Sequence, residues 1–196
     1  MTDHSWNLKR LTNTTTIMND VNFVSIPRCA SNSIHQALHT NNVDNHFSIR
    51  KTKDERWSFA VIRDPLERLI SWWKYHQLDI YIPFGGEIYQ RPFKDWVRSG
   101  CQHHWTVDDL KNCQITNPLR QFDFVCDPDG NIMVDKLINF DDLGTHGGVD
   151  LEPVGGFVPL NHLNASHIGK TASLSASVID YIHKQFESDY KIYNSL

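Results

Sequence analysis

Val21-Asn-Phe-Val-Ser-Ile-Pro-Arg-Cys-Ala-Ser-Asn-Ser-Ile34 and, farther along, Trp57-Ser-Phe-Ala-Val-Ile-Arg-Asp-Pro-Leu-Glu-Arg-Leu-Ile-Ser71 are the stretches that decide the fold of this chain. In each, an apolar, β-branched run stops at an arginine set among small polar residues and a helical pattern follows, which predicts strand, loop and helix twice over. Main-chain N–H groups at a helix start, backed by its partial positive charge, suit an anion with several oxygens. An arginine adds a charged fork of donors. Two such loops predict a ligand with phosphate groups at both ends.

The rest of the chain sets limits around that pair. Its 196 residues, 40% hydrophobic and 21% charged, fit one soluble α/β domain large enough to hold a core without staples. No apolar stretch approaches the eighteen or so residues of a membrane span. Residues 1–20 form a polar, Thr-rich segment without the apolar centre of a secretion signal, so the expectation is a cytoplasmic protein. Cys29, Cys101, Cys113 and Cys126 have no pairing pattern and read as free thiols. A net charge of −4 argues against nucleic acid as a partner. Between Arg28 and Lys74, however, eight Lys/Arg stand against five Asp/Glu, a local excess that fits a small anion.

Read along its length, the chain gives strands at 21–26, 45–49 and 57–62, helices at 31–39 and 65–76, and a charged connector at 50–56. The second helix has proline in its first turn, where the missing N–H is harmless. This is βαβ logic, so a central parallel sheet flanked by helices is expected. Residues 81–91 read as a loop over the site and 92–99 as a short amphipathic helix, while Thr106 reads as the cap of another. Residues 121–126 and 131–134, either side of Asp127-Pro-Asp-Gly130, predict a hairpin. A further strand is expected at 136–140, a mobile glycine-rich stretch at 144–156, and a last helix at 173–190.

Pro27-Arg-Cys-Ala-Ser-Asn-Ser33 lacks the G-x-x-x-x-G-K-[ST] spacing of a nucleotide triphosphatase. It resembles the 5′-phosphosulfate loop of sulfotransferases, Pro-Lys-(Thr/Val)-(Gly/Ala)-(Ser/Gly)-Thr-Ser. Phe59-Ala-Val-Ile-Arg-Asp-Pro-Leu-Glu-Arg-Leu-Ile-Ser71 resembles that family's 3′-phosphate loop. Three later pieces are similar to the family's later segments: Lys136-Leu-Ile-Asn-Phe-Asp-Asp-Leu143, Leu160-Asn-His-Leu-Asn-Ala-Ser166 and Phe186-Glu-Ser-Asp-Tyr-Lys-Ile-Tyr193. The resemblance runs from 21 to 193 and is nearest to the carbohydrate sulfotransferases. It implies a fold like that of the P-loop nucleotide kinases and a single sulfotransferase domain over 21–193.

It also implies 3′-phosphoadenosine 5′-phosphosulfate (PAPS) as donor, 3′-phosphoadenosine 5′-phosphate (PAP) as product, and a small-molecule or carbohydrate hydroxyl as acceptor. Arg28, Cys29, Ala30, Ser31, Asn32 and Ser33 would hold the 5′ end; Arg63 and Ser71 would hold the 3′-phosphate. Asn164, Ser166 and Lys170 are further candidates. Arg28 would also act in catalysis by neutralising charge on the leaving phosphate, and His46, at the end of the expected second strand, is the candidate base because histidine titrates near neutral pH. His76 and His162 are rival bases, and His35 and His39 read as surface residues. Arg68 reads as a packing or ion-pairing residue, with Asp64 or Glu67. Ser31, Asn32 and Ser33 have a second reading as helix caps. Two departures from the family stand out: arginine replaces lysine at 28, and asparagine replaces threonine at 32. Arginine is a fixed fork that stays protonated, so Arg28 cannot act as a base.

No metal is demanded, because cationic side chains and helix N–H groups can hold the charge; Cys101, His103, His104 and Cys113 have ligand chemistry but match no standard zinc spacing. Of the aromatics Trp72, Trp73, Tyr75, Tyr81, Phe84 and Tyr89, most read as core, with one or two able to stack on adenine or a sugar. Two other readings remain: a kinase-like phosphotransferase on a related fold, and a non-catalytic nucleotide- or protein-binding relative of the sulfotransferases. Acceptor identity and oligomeric state are left open.

Overall fold

A computed structural model describes residues 21–38, 46–78, 85–151, 156–160 and 174–196. Strand β1 (Val21–Val24) leads to helix α1 (Ser31–Ala37), a single turn α2 (Ile49–Thr52) precedes β2 (Trp57–Ile62), and α3 (Pro65–His76) leaves β2. A 3-10 turn (Gly86–Tyr89) is followed by α4 (Phe93–Arg98), α5 (Val107–Cys113) and the short α6 (Phe122–Val125). Strand β3 (Lys136–Asn139) passes directly into α7 (Phe140–His146); β4 (Gly148–Leu151), β5 (Gly156–Pro159), α8 (Ala176–Gln185) and α9 (Glu187–Tyr193) complete the order.

The first three strands form a parallel sheet with β2 in the centre, Val21 opposite Trp57 and Phe59 opposite Lys136. Ser58 to Ile62 are all buried, as a strand covered on both faces requires, and this is why the run is apolar without alternation. Because the strands are parallel, the loops leaving β1 and β2 open on the same carboxyl edge, where ligands bind in open α/β sheets. The Asp135 carboxylate fixes the start of β3, accepting from the main-chain N–H and hydroxyl of Ser58 at 2.7 and 2.6 Å.

Helix α3 carries its own start signals. The Asp64 side chain accepts from the N–H of Glu67 at 2.9 Å, and Pro65 occupies the first turn. Its apolar face, with Leu69, Ile70 and Trp72, joins Trp96, Ile182 and Phe186 in a second core beside the sheet core. Trp105 packs against both. Thr106 caps α5 in a reciprocal box with Asp109.

Several expectations need correction. The stretch expected to be a strand up to Ile49 instead has Ile49 opening α2, with the N–H of Ser48 bonded to the Cys113 carbonyl at 3.0 Å rather than to a neighbouring strand. The hairpin before Val134 is reduced to one bridge, Cys126 to Ile132. Its turn forms, with Gly130 N–H on the Asp127 carbonyl at 3.1 Å, but its first arm coils into α6 because a buried carboxylate captures the N–H groups there. The described part of the glycine-rich stretch is regular structure: Gly147 ends α7 at φ 69°, Gly148 opens β4, and it lies so close to β5 that a side chain would collide with the Val158 carbonyl and the Phe157 ring. The last helix breaks at Phe186 into α8 and α9. Gly86–Tyr89 of the expected site loop packs into the second core, with Tyr89 buried.

Candidate active site

The loop after β1 turns sharply. Arg28 and Ala30 both take left-handed backbone conformations, φ 69° and 60°, which cost a residue with a Cβ of order 1 kcal/mol each. The turn is held by Cys29 N–H on the Ile26 carbonyl (3.2 Å) and by the Ser31 hydroxyl, which donates to the same carbonyl at 2.6 Å. Ala30 is the residue capping α1, with no side-chain cap bond. Ser31, Asn32 and Ser33 therefore sit inside the first turn, and the alternative reading of them as caps does not hold. The Cys29 thiol is wholly buried and its pKa is pushed up by burial, so its place in the loop is structural and it is no nucleophile.

Arg28 reaches across to α3. Its Nε donates to Ser71 Oγ at 3.1 Å, and its guanidinium lies over the Tyr75 ring at 4.2 Å, one helical turn beyond. Arg63 follows β2 directly and is 7% exposed. Its guanidinium stacks on Phe140 at 4.4 Å, pairs with Glu67 at 3.4 Å and comes to 3.5 Å from the Arg28 carbonyl. Its Nε is buried without a hydrogen-bond partner among the described residues. A buried cationic donor left unpaired is costly, and an anionic oxygen at that edge would satisfy it. The loops thus bring Arg28, Arg63 and Ser71 together, and this charge and donor set fits a phosphate-bearing ligand.

Arg68 pairs with neither Asp64 nor Glu67. It is buried in the core and donates to three carbonyls, Pro27 (2.9 Å), Leu119 (2.6 Å) and Pro118 (2.8 Å). Its charge binds the start of the first loop to the segment before α6. Two more residues complete this frame: Gln121, which has no pattern in the sequence, and Asp189, which lies in the closing segment 186–193. The Gln121 amide donates to the Arg63 carbonyl (2.8 Å) and accepts from the Arg63 N–H (2.9 Å). The Asp189 carboxylate from α9 accepts from the N–H groups of Gln121 and Phe122 at 2.8 and 2.9 Å. Burial raises the Asp189 carboxyl to about 6, against the pull of those two bonds.

His46 lies against the end of β1. Its Nδ1 is 2.9 Å from the Ser25 carbonyl and 3.2 Å from the Ser25 hydroxyl, and its ring is 6.5 Å from that of Trp105. A carbonyl can only accept, so Nδ1 carries the proton in the neutral ring and Nε2 the lone pair. His76 is likewise oriented by a carbonyl, that of Trp72 at 2.9 Å, but it is buried against Tyr89 and His104, and burial holds its pKa down at about 4. His35 is not a surface residue: it is buried edge-on to Phe23 at 5.1 Å, its pKa lowered to about 4 by burial. His39, His162, Asn164, Ser166 and Lys170 lie outside the described residues. Among those described, no group of three or more His, Cys, Asp or Glu side chains is arranged to hold a metal, and no helix is long and apolar enough to cross a membrane.

The parallel sheet flanked by helices and the paired arginine loops at its carboxyl edge agree with one outside comparison. No curated protein and no solved structure matches the chain. A family model, described as the sulfotransferase family, matches residues 8–131, more than half of the sequence and both arginine loops with it. The chain therefore belongs to the sulfotransferase family.

Proposed function

We propose that the protein transfers a sulfuryl group from PAPS to a hydroxyl, that of a carbohydrate being the acceptor favoured by the loop sequences, and releases PAP. When bound, the donor supplies the activated sulfuryl group at its 5′ end. Arg63 and Ser71 hold the 3′-phosphate. Arg28, with Cys29, Ala30, Ser31, Asn32 and Ser33, surrounds the 5′ end, and the Arg28 guanidinium offsets the charge that develops on the leaving phosphate. His46 accepts the proton of the acceptor hydroxyl at Nε2 while Nδ1–H stays on Ser25. Positioning and electrostatics supply most of the acceleration, as in phosphoryl transfer. The sulfotransferase unit in this reading is 21–193. Four buried free thiols fit a reducing, cytoplasmic compartment.

The observation that carries the reading is the buried Arg63 guanidinium, with an unpartnered Nε, beside the Arg28 loop. PAP is expected to raise the melting temperature of the protein and to leave that of Arg63→Ala unchanged. Equal protection of both would remove Arg63 from the site. Labelled PAPS offered with sugars, alcohols and tyrosyl peptides identifies the acceptor class. Magnesium-dependent ATP turnover in place of sulfate transfer would establish the phosphotransferase instead.

A further inference from the structure

Strand β2 stops pairing at Ile62, opposite Asn139. The next peptide group, that of Arg63, therefore has no strand neighbour to receive its N–H and C=O, although both point into the interior. The side-chain amide of Gln121 takes the place of that neighbour. It presents one acceptor and one donor at 2.9 and 2.8 Å, the pattern of a strand in a ladder. The same oxygen, Oε1, also accepts from the Cys29 thiol at 3.3 Å. A single fully buried amide thus touches the loop of Arg28 and the loop of Arg63 at once. Its own backbone is fastened by the Asp189 carboxylate.

We infer that Gln121 is a positioning residue that sets the separation of the two phosphate grips, and so selects a ligand charged at both ends. This rests on the function proposed above. The physical reason is geometric. A ligand anchored at both ends binds well only if the anchors stand at the right distance beforehand, because any freedom between them must be removed on binding. A ligand anchored at one end is indifferent to that distance. Sheet formation does not depend on the amide, since β2 has already ended, whereas the direction of the Arg63 side chain depends on its own peptide group.

The test compares PAP with adenosine 5′-phosphate and adenosine 3′-phosphate, each measured by calorimetry against the full chain. Gln121→Ala is expected to weaken PAP binding by about tenfold or more while changing each single-ended ligand by less than about threefold. If that variant does not fold, Gln121→Glu serves in its place. It keeps the length and an acceptor for the Arg63 N–H, but sets a carboxylate oxygen against the Arg63 carbonyl, and the same selective loss is expected. A parallel loss for all three ligands, or unchanged PAP affinity, overturns the positioning role. An unmodified protein that binds PAP no better than the single-ended ligands overturns the two-grip reading itself, which separates the two failures.

Discussion

The two arginine loops share a plan, strand, arginine and helix, yet differ in every detail of support. The second is anchored. Arg63 is buried on Phe140, its peptide group is clamped by Gln121, and the helix that follows has twelve residues with an Asp64 cap and Pro65 in its first turn. The first is strained and more open. Arg28 is half-buried, two of its loop residues take left-handed backbone angles, and its helix has seven residues with no side-chain cap. A donor that must be held at one end and cut at the other needs this division of labour. Under the function proposed above, the anchored loop suits the end that does not react, and the loop with the half-buried arginine suits the end where charge shifts during transfer.

The sharpest way to break the comparison is Arg63→Ala. Loss of two charge-assisted bonds at about 2 kcal/mol each predicts PAP binding weaker by roughly a thousandfold, measured by calorimetry. A loss no larger than that of Arg28→Ala would erase the distinction between anchor and working loop. The brace behind the anchor is tested by pH. Asp189 has its carboxyl raised to about 6, so the stability it confers is present below about 4, its ordinary range, and is lost as pH rises through 6. The stability difference between wild type and Asp189→Asn, followed by urea unfolding, should shrink over that window by on the order of 3 kcal/mol. A flat difference would deny the carboxyl its buried character.

The working loop answers in rate rather than affinity. Arg28→Ala should lower kcat about a hundredfold, equivalent to about 2.7 kcal/mol, and Arg28→Lys should recover most of it because the charge returns without the fork. If PAP affinity falls while kcat stands, Arg28 belongs with the anchor. The smallest effect is Asp64→Ala, which removes the cap of α3 and should cost about 1 kcal/mol of stability with little change in kcat.

The contrast also explains what could be read from the sequence. Residues 57–62 and 65–76 coincide with β2 and α3 because their determinants are local: an unbroken apolar run, a capping aspartate and a proline at the helix start. The grouping of Arg28, Arg63 and Ser71 was legible for the same reason, each being fixed by its place after a strand or two turns into a helix. Residues 121–126 were misread because the group that coils them belongs to α9, far along the chain. Gln121 gave no signal, since its partners are 58 and 92 residues away. Arg68 reads from the sequence as a packing or ion-pairing residue; it is buried as packing requires, but its partners are carbonyls 41, 50 and 51 residues distant rather than the carboxylates beside it. His35 lies one position from an exposed neighbour, and the approach of Phe23 that buries it is a matter of sheet packing rather than helix pattern.

Asp189 sits in the last helix, and through Gln121 it reaches the peptide group of Arg63. A nascent chain that has already formed its sheet would still lack that carboxylate while residue 189 remains in the ribosomal tunnel. Under the function proposed above, the two arginine loops then take up their spacing only after residue 189 has emerged, later than the strands that carry them.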